Sequence, residues 1–165
     1  MTTIGIDPGA EGAIVVVSGG KAIETWTADT RAKVPGYFVA GDPDAVALVA
    51  FLRGYLYADA TIILETPFAP GKIGTSNAIV IGRRWGILYA ACRLSGLPVV
   101  TVTPAKWSSD LFGGRKGVTG REKKEAAVRL CGERLPSLAL VPAGSRVAHT
   151  GLADAGCIAL WGQRG

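Results

Sequence analysis

Three cysteines in 165 residues are too few, and an odd number, for a disulfide framework. Cys92, Cys131 and Cys157 lie far apart in apolar segments, and no C-x-x-C pair marks a zinc or redox motif. They read as buried free thiols in a reducing cytoplasm. Charge is scarce as well: 19% of residues are charged against 48% apolar, which excludes an intrinsically disordered chain. The 23 glycines follow no G-x-y repeat, so a collagen-like rod is excluded. No apolar run approaches the ~18 residues of a membrane span. Met1-Thr2-Thr3 carries no basic n-region, so no secretory signal is expected. What is present is a basic excess, 18 Lys and Arg against 13 Asp and Glu, for a net charge of +5. That balance favours an anionic partner without identifying one. No linker, repeat or low-complexity tract interrupts the chain, so residues 1–165 are read as one domain.

Residues Thr3–Asp7, Gly12–Ser18 and Ala22–Thr27 are short Ile- and Val-rich runs separated by tight glycine-bearing turns. They predict an antiparallel three-strand meander. Ala28–Gly41 lacks periodicity and is expected to be a loop. Asp42 followed by Pro43 predicts a helix start, with Val46, Val49, Ala50, Leu52 and Leu56 on its apolar face. Thr61–Leu64 reads as a buried strand ending at Glu65. Asn77–Ser95 reads as a long helix, with Ile81, Trp85, Leu88 and Cys92 on one face. Pro98–Val102 is another strand, and Thr103-Pro104 opens a short helix through Leu111. Thr119-x-x-Glu122 is a capping box that opens the next helix. Pro136–Ala148 reads as a loop and Gly151–Gly162 as a final apolar helix. The order predicts an α/β domain: a mixed five-stranded sheet, the meander plus two parallel strands, with helices on both faces.

Three acids lack an easy solvated explanation. Asp7 and Glu65 end buried strands, and Asp154 interrupts the nearly apolar run Leu152–Leu160. A buried charge is costly without a partner, and few cations lie near them in sequence. If the two strands are neighbours, Asp7 and Glu65 repel at one sheet end. A hard divalent cation such as Mg²⁺ or Mn²⁺ removes that penalty. Two such ions about 4 Å apart serve phosphodiester hydrolysis. Each acid also has a bland alternative: a turn acceptor for Asp7, and helix capping or an arginine partner for the others.

Ile4-Gly5-Ile6-Asp7-Pro8-Gly9 resembles the opening strand of the RuvC-type Holliday junction resolvases, members of the RNase H-like superfamily. Leu64-Glu65 matches their second acidic position. Gly82-Arg83-Arg84-Trp85-Gly86 resembles the glycine-bearing helix that follows. Gly96-Leu97-Pro98-Val99 and Thr103-Pro104-Ala105-Lys106-Trp107 resemble a segment of the phage and organelle members. His149-Thr150-Gly151-Leu152-Ala153-Asp154-Ala155 is similar to their closing motif. The resemblance implies an RNase H-like fold and metal-dependent nicking of four-way DNA junctions by a homodimer. Asp7, Glu65 and Asp154 would be metal ligands for Mg²⁺, with Mn²⁺ also expected to support activity. The expected location is the cytoplasm of a bacterial or phage-infected cell.

The resemblance carries two departures. Thr150 stands where relatives usually have an aspartate, and the adjacent His149 becomes a candidate ligand or a residue that positions the attacking water. Ser108 and Ser109 stand where relatives tend to have lysines, with Lys106 a candidate substitute. Phe68 matches the aromatic that the family uses as a wedge at the junction centre; an exposed ring there stacks on an unpaired base. Lys72, Arg83, Arg84, Lys106, Arg115, Lys116, Arg121, Lys123 and Lys124 are the candidate phosphate contacts. Gly82, Gly86 and Ala90 recur every four residues and would let a second copy approach, or else serve packing within one subunit. The opening motif also resembles the first phosphate loop of actin-like ATPases, but the chain lacks a P-loop and the length for two such domains. A nuclease for flaps or RNA, and a junction-binding module with weakened catalysis, are the remaining alternatives.

Overall fold

The Ile- and Val-rich runs form β1 (Thr2–Asp7), β2 (Ala13–Ser18) and β3 (Lys21–Thr27). The computed structural model describes residues 1–9, 11–28, 38–39, 42–67, 74–114, 120–142 and 145–164. Two short strands, β4 (Phe38–Val39) and β5 (Asp42–Pro43), pair with each other. There follow α1 (Ala45–Arg53), β6 (Ala60–Glu65), α2 (Thr75–Ser95), β7 (Val99–Val102), α3 (Pro104–Phe112), α4 (Gly120–Arg134) and α5 (Thr150–Gly162). The main sheet has the order β3-β2-β1-β6-β7. The meander is antiparallel, whereas β1, β6 and β7 run parallel. This is the mixed five-stranded α/β architecture that the sequence predicts.

Alternating side chains feed two cores, because successive strand residues point to opposite faces. Ala13, Val15, Val17 and Ile63 pack with Ala127 and Cys131 of α4 and with Leu152 and Ile158 of α5. Ile4, Ile6, Ile14, Val16, Ile62 and Leu64 pack with Leu48 and Leu52 of α1 and Leu88 of α2. A Cβ on Gly5 would lie 2.1 Å from the Ala155 carbonyl oxygen and 2.5 Å from the Ala159 nitrogen. Glycine there lets α5 rest directly on the backbone of β1.

Three local expectations change. Asp44 caps α1, its Oδ1 accepting from the Val46 and Ala47 amides at 3.0 Å each. Asp42 and Pro43 lie instead in β5, where Asp42 pairs with Arg83 at 2.9 Å. A proline without an N–H fits such a short edge strand. The buried stripe of α1 is Leu48 and Leu52, while Val46 is 81% exposed, so the face is rotated from the one predicted. Val46 and Leu48 are comparably apolar, and the layer packed against α1 selects Leu48 and Leu52 for the inward positions. Within the expected 28–41 loop, residues 38–39 form β4, and 29–37 and 40–41 lie outside the described residues, as does Thr119 of the capping box. Among the described residues no helix is long and apolar enough to cross a membrane.

Candidate active site

β1 and β6 are parallel neighbours with Ile6 opposite Leu64, so their final residues, Asp7 and Glu65, leave the sheet at the same end. The third acid comes from α5. Its seat on Gly5 passes through Ala155, so Asp154, one residue earlier, reaches that end too. Asp7, Glu65 and Asp154 line one cleft of about 440 Å³, together with Pro67, Ile81, Pro104, Trp107 and Ser108.

All three carboxyls are pushed upward. Burial, then the charge of Asp7, raises Glu65 to about 8; the Trp107 hydrogen bond lowers it and Asp154 raises it further. Burial, then Asp7, raises Asp154 to about 7, against the pull of Lys124. Burial raises Asp7 to about 6, opposed by the Gly9 amide, which donates to Oδ1 at 2.9 Å, and by Lys124. Glu65 and Asp154 thus both feel Asp7 across the cleft. Such a set is strained when fully ionised and relaxes with a proton or a cation. Among the described residues no three acidic, histidine or cysteine side chains close into a finished ligand cage. The donor chemistry nevertheless fits a hard divalent cation, since all three groups offer carboxylate oxygen. Asp7, Glu65 and Asp154 are the residues that would hold it.

Lys123 and Lys124, in the first turns of α4, line the same cleft, and so does Arg84 from α2. Among the described residues, Arg83 and Lys106 lie elsewhere. Arg83 is paired with Asp42. Lys106 pairs with Asp110 at 3.0 Å and faces a separate groove lined by Thr61, Val100, Trp161 and Arg164. It therefore does not stand in at the cleft, because Ser108, not Lys106, is on the helix face turned toward the acids. Phe68, Lys72, Arg115 and Lys116 lie outside the described residues.

His149 has a different job from the one its sequence position implies. It is the N-cap of α5, with Nδ1 accepting from the Leu152 amide at 3.1 Å. Its Nε2 lies 3.3 Å from Thr27 Oγ1, which donates to the Gly12 carbonyl at 3.1 Å. Both ring nitrogens are thus engaged within the protein, and the ring locks α5 to the meander rather than joining the acids as a ligand. A side chain beside it is excluded as well: a Cβ on Gly151 would lie 1.8 Å from the Glu11 carbonyl oxygen.

Two tryptophans, which the sequence marks as family-like motif residues and, for Trp85, as part of a helix face, touch Glu65. Trp107 Nε1 donates to Glu65 Oε1 at 2.7 Å, and Trp85 Nε1 donates to the Glu65 carbonyl oxygen at 3.0 Å. The available signal was the Thr-Pro-x-x-Trp spacing after a strand. Val102, the end of β7, lies opposite Glu65, so a tryptophan in the first turn of the following helix falls beside it.

No protein-family model and no curated protein sequence matches the chain. Solved structures do. Thermus thermophilus RuvC in complex with a Holliday junction substrate superposes with a TM-score of 0.60 at 22% identity, covering 98% of this chain and 92% of that one. A second Thermus thermophilus RuvC structure gives a TM-score of 0.55, again at 22% identity with 98% and 92% coverage. With near-complete coverage of both chains, the five-stranded mixed sheet and its helices have the RuvC-like form of the RNase H-like fold.

Proposed function

We propose that this chain is a divalent-cation-dependent endonuclease that resolves four-way (Holliday) DNA junctions by paired nicks. It acts as a homodimer of one domain spanning residues 1–165. The observation that carries the reading is the convergence of Asp7, Glu65 and Asp154, remote in sequence, on one cleft rimmed by Lys123 and Lys124. The substrate follows from the neighbouring structure, in which a protein of the same fold holds a Holliday junction. Placement in the phage and organelle branch rests on the Gly96-Leu97-Pro98-Val99 and Pro104-x-x-Trp107 segments alone. The three buried free thiols favour a reducing compartment such as the cytoplasm.

The chemistry that Mg²⁺ or Mn²⁺ supplies when bound is Lewis acidity, which acidifies water and stabilises charge on a phosphodiester. The chain supplies the rest. Asp7, Glu65 and Asp154 offer the negative field that makes cation binding favourable, and would release any proton they carry to solvent as the cation binds. Lys123, Lys124 and Arg84 hold phosphate oxygens at the cleft mouth, which fixes the scissile group for attack. His149 contributes by seating the start of α5, and so the height of Asp154 above β1. A second copy is expected on the outer face of α2, where Gly82, Gly86 and Ala90 are exposed. Two sites related by a two-fold axis would then meet opposite strands of a symmetric junction.

The test is cleavage of a labelled four-way junction under Mg²⁺ or Mn²⁺ titration, with duplex, flap and RNA–DNA hybrid as competitors. Preferential junction nicking is expected. Asp7→Asn is expected to lose cleavage and keep junction binding, since it removes both a ligand and a repelling charge. Junction binding without cleavage in either metal would leave only a binding module. Preference for flaps or hybrid would move the chain to another nuclease class of this fold.

A further inference from the structure

Glu65 is gripped by neutral donors from both sides of the sheet. Trp107 of α3 takes carboxylate oxygen Oε1, and Trp85 of α2 takes the main-chain carbonyl. The grip on the carboxylate is well built. Thr103 caps α3, its Oγ1 accepting from the Lys106 amide at 3.2 Å, and Pro104 occupies the first turn. Trp107 closes that turn, its amide donating to the Thr103 carbonyl at 3.2 Å. Its ring is 5% exposed and packs edge-on against Phe112, centroids 5.9 Å apart at 75°. The indole has little freedom, and its only polar atom is spent on Glu65.

The chemistry of that atom matters. An indole N–H donates and never accepts, carries no charge and does not titrate. It favours the ionised carboxylate without bringing a cation that would compete with a metal. Asp7 and Asp154 repel the negative charge on Glu65, whereas the Trp107 hydrogen bond favours it. The donor engages Oε1, so Oε2 keeps its lone pairs.

We propose that Trp107 is a positioning residue for the cation site: by fixing Glu65 Oε1 it selects the orientation in which Oε2 serves as the ligand. This inference rests on the reading of the cleft as a divalent-cation site. Trp85, stacked on Tyr89 at 5.0 Å and 8°, braces the main chain at the same residue and is the control. Removing a partner that orients a metal ligand typically costs 10–100-fold in metal affinity.

The test compares Mn²⁺ affinity, by calorimetric titration of the protein without DNA, in wild type, Trp107→Phe and Trp85→Phe. Phe keeps the apolar ring and deletes the donor. Trp107→Phe is expected to bind Mn²⁺ about 10-fold more weakly, and Trp85→Phe to lose less. A readout independent of that variant's folding is the ¹⁵N-indole signal of Trp107 in wild type, expected to shift as Mg²⁺ is added. Equal affinity in Trp107→Phe, or an indole signal unmoved by saturating Mg²⁺, overturns the inference while leaving the cation site intact. Failure of wild type itself to bind Mn²⁺ or Mg²⁺ overturns the cation site, and the inference with it.

Discussion

α5 and α2 lie on opposite sides of the sheet and both carry small residues at short intervals, yet they put them to opposite use. Eight of the 13 residues of α5 are buried, against four of the 21 in α2. On α5 the missing side chains are demanded by neighbours in the same chain. A Cβ on Gly156 would lie 2.9 Å from Cys131 Sγ, and one on Gly162 2.5 Å from Ile63 Cγ1. On α2 a Cβ on Gly82 or Gly86 meets nothing described within 4 Å. That outer row continues through exposed Ala90 to Leu94, which is 64% exposed. Small residues in a helix therefore signal close approach only once their face is known. On α5 they seat an acid over the sheet end; on α2 they leave an open surface, the one on which the proposal places a second copy.

The widest gap between the two helices is chemical. Asp154→Asn on α5 is expected to abolish junction cleavage while junction binding persists, as read by paired cleavage and gel-shift assays. Retained cleavage would show that the seat of α5 serves packing alone. Next comes stability. Gly151→Ala drives a methyl into the Glu11 carbonyl and is expected to cost about 1–3 kcal/mol in denaturant unfolding, the usual range for overpacking. Gly86→Ala is expected to be neutral or stabilising by up to about 1 kcal/mol, from helix propensity. Equal effects at the two sites would erase the contrast. Self-association is a finer test: Gly86→Leu is expected to shift sedimentation toward monomer, and a wild type already monomeric at micromolar concentration would end the dimer proposal.

A separate effect is expected on pH dependence. Asp7, Asp154 and Glu65 sit at about 6, 7 and 8, above their ordinary values of 3.8, 3.8 and 4.5. The folded state therefore binds protons more tightly than the unfolded state between those limits, and stability falls as pH rises through that window. The metal-free protein is expected to have a lower Tm at pH 8 than at pH 5, with Mg²⁺ restoring part of the loss at pH 8. Asp154→Asn should flatten the slope. A Tm that rises with pH in the absence of metal would contradict the crowding of the three acids.

Much of this contrast was legible before any coordinates. The Val- and Ile-rich runs, their glycine turns and the helical periods place the strands and long helices within a few residues, because burial on a sheet and on a helix face imposes periods of two and 3.6. Asp7, Glu65 and Asp154 stand out because a carboxylate at the edge of an apolar run needs a reason. His149 did not yield to the same reasoning. Its position beside the closing motif implies a ligand or a water-positioning group, while its ring caps α5 and meets Thr27, 122 residues away. Lys106 failed similarly, since one helical step decides whether a side chain faces the cleft or the groove holding Asp110. The face of α1 was misjudged because Val46 and Leu48 are equally apolar, and only the neighbouring layer selects between them.

Local order along the chain was thus sufficient for the five strands of the main sheet, the long helices, the sheet class and the three suspicious acids, all of which follow from short-range periodicity and the cost of burying charge. Packing in three dimensions decided which groups meet: that Asp154 comes over Asp7 because Gly5 admits a helix, that two indoles hold Glu65, and that a histidine becomes a cap. Those outcomes depend on strand order, helix rotation and the direction of single side chains, and residue spacing specifies none of them.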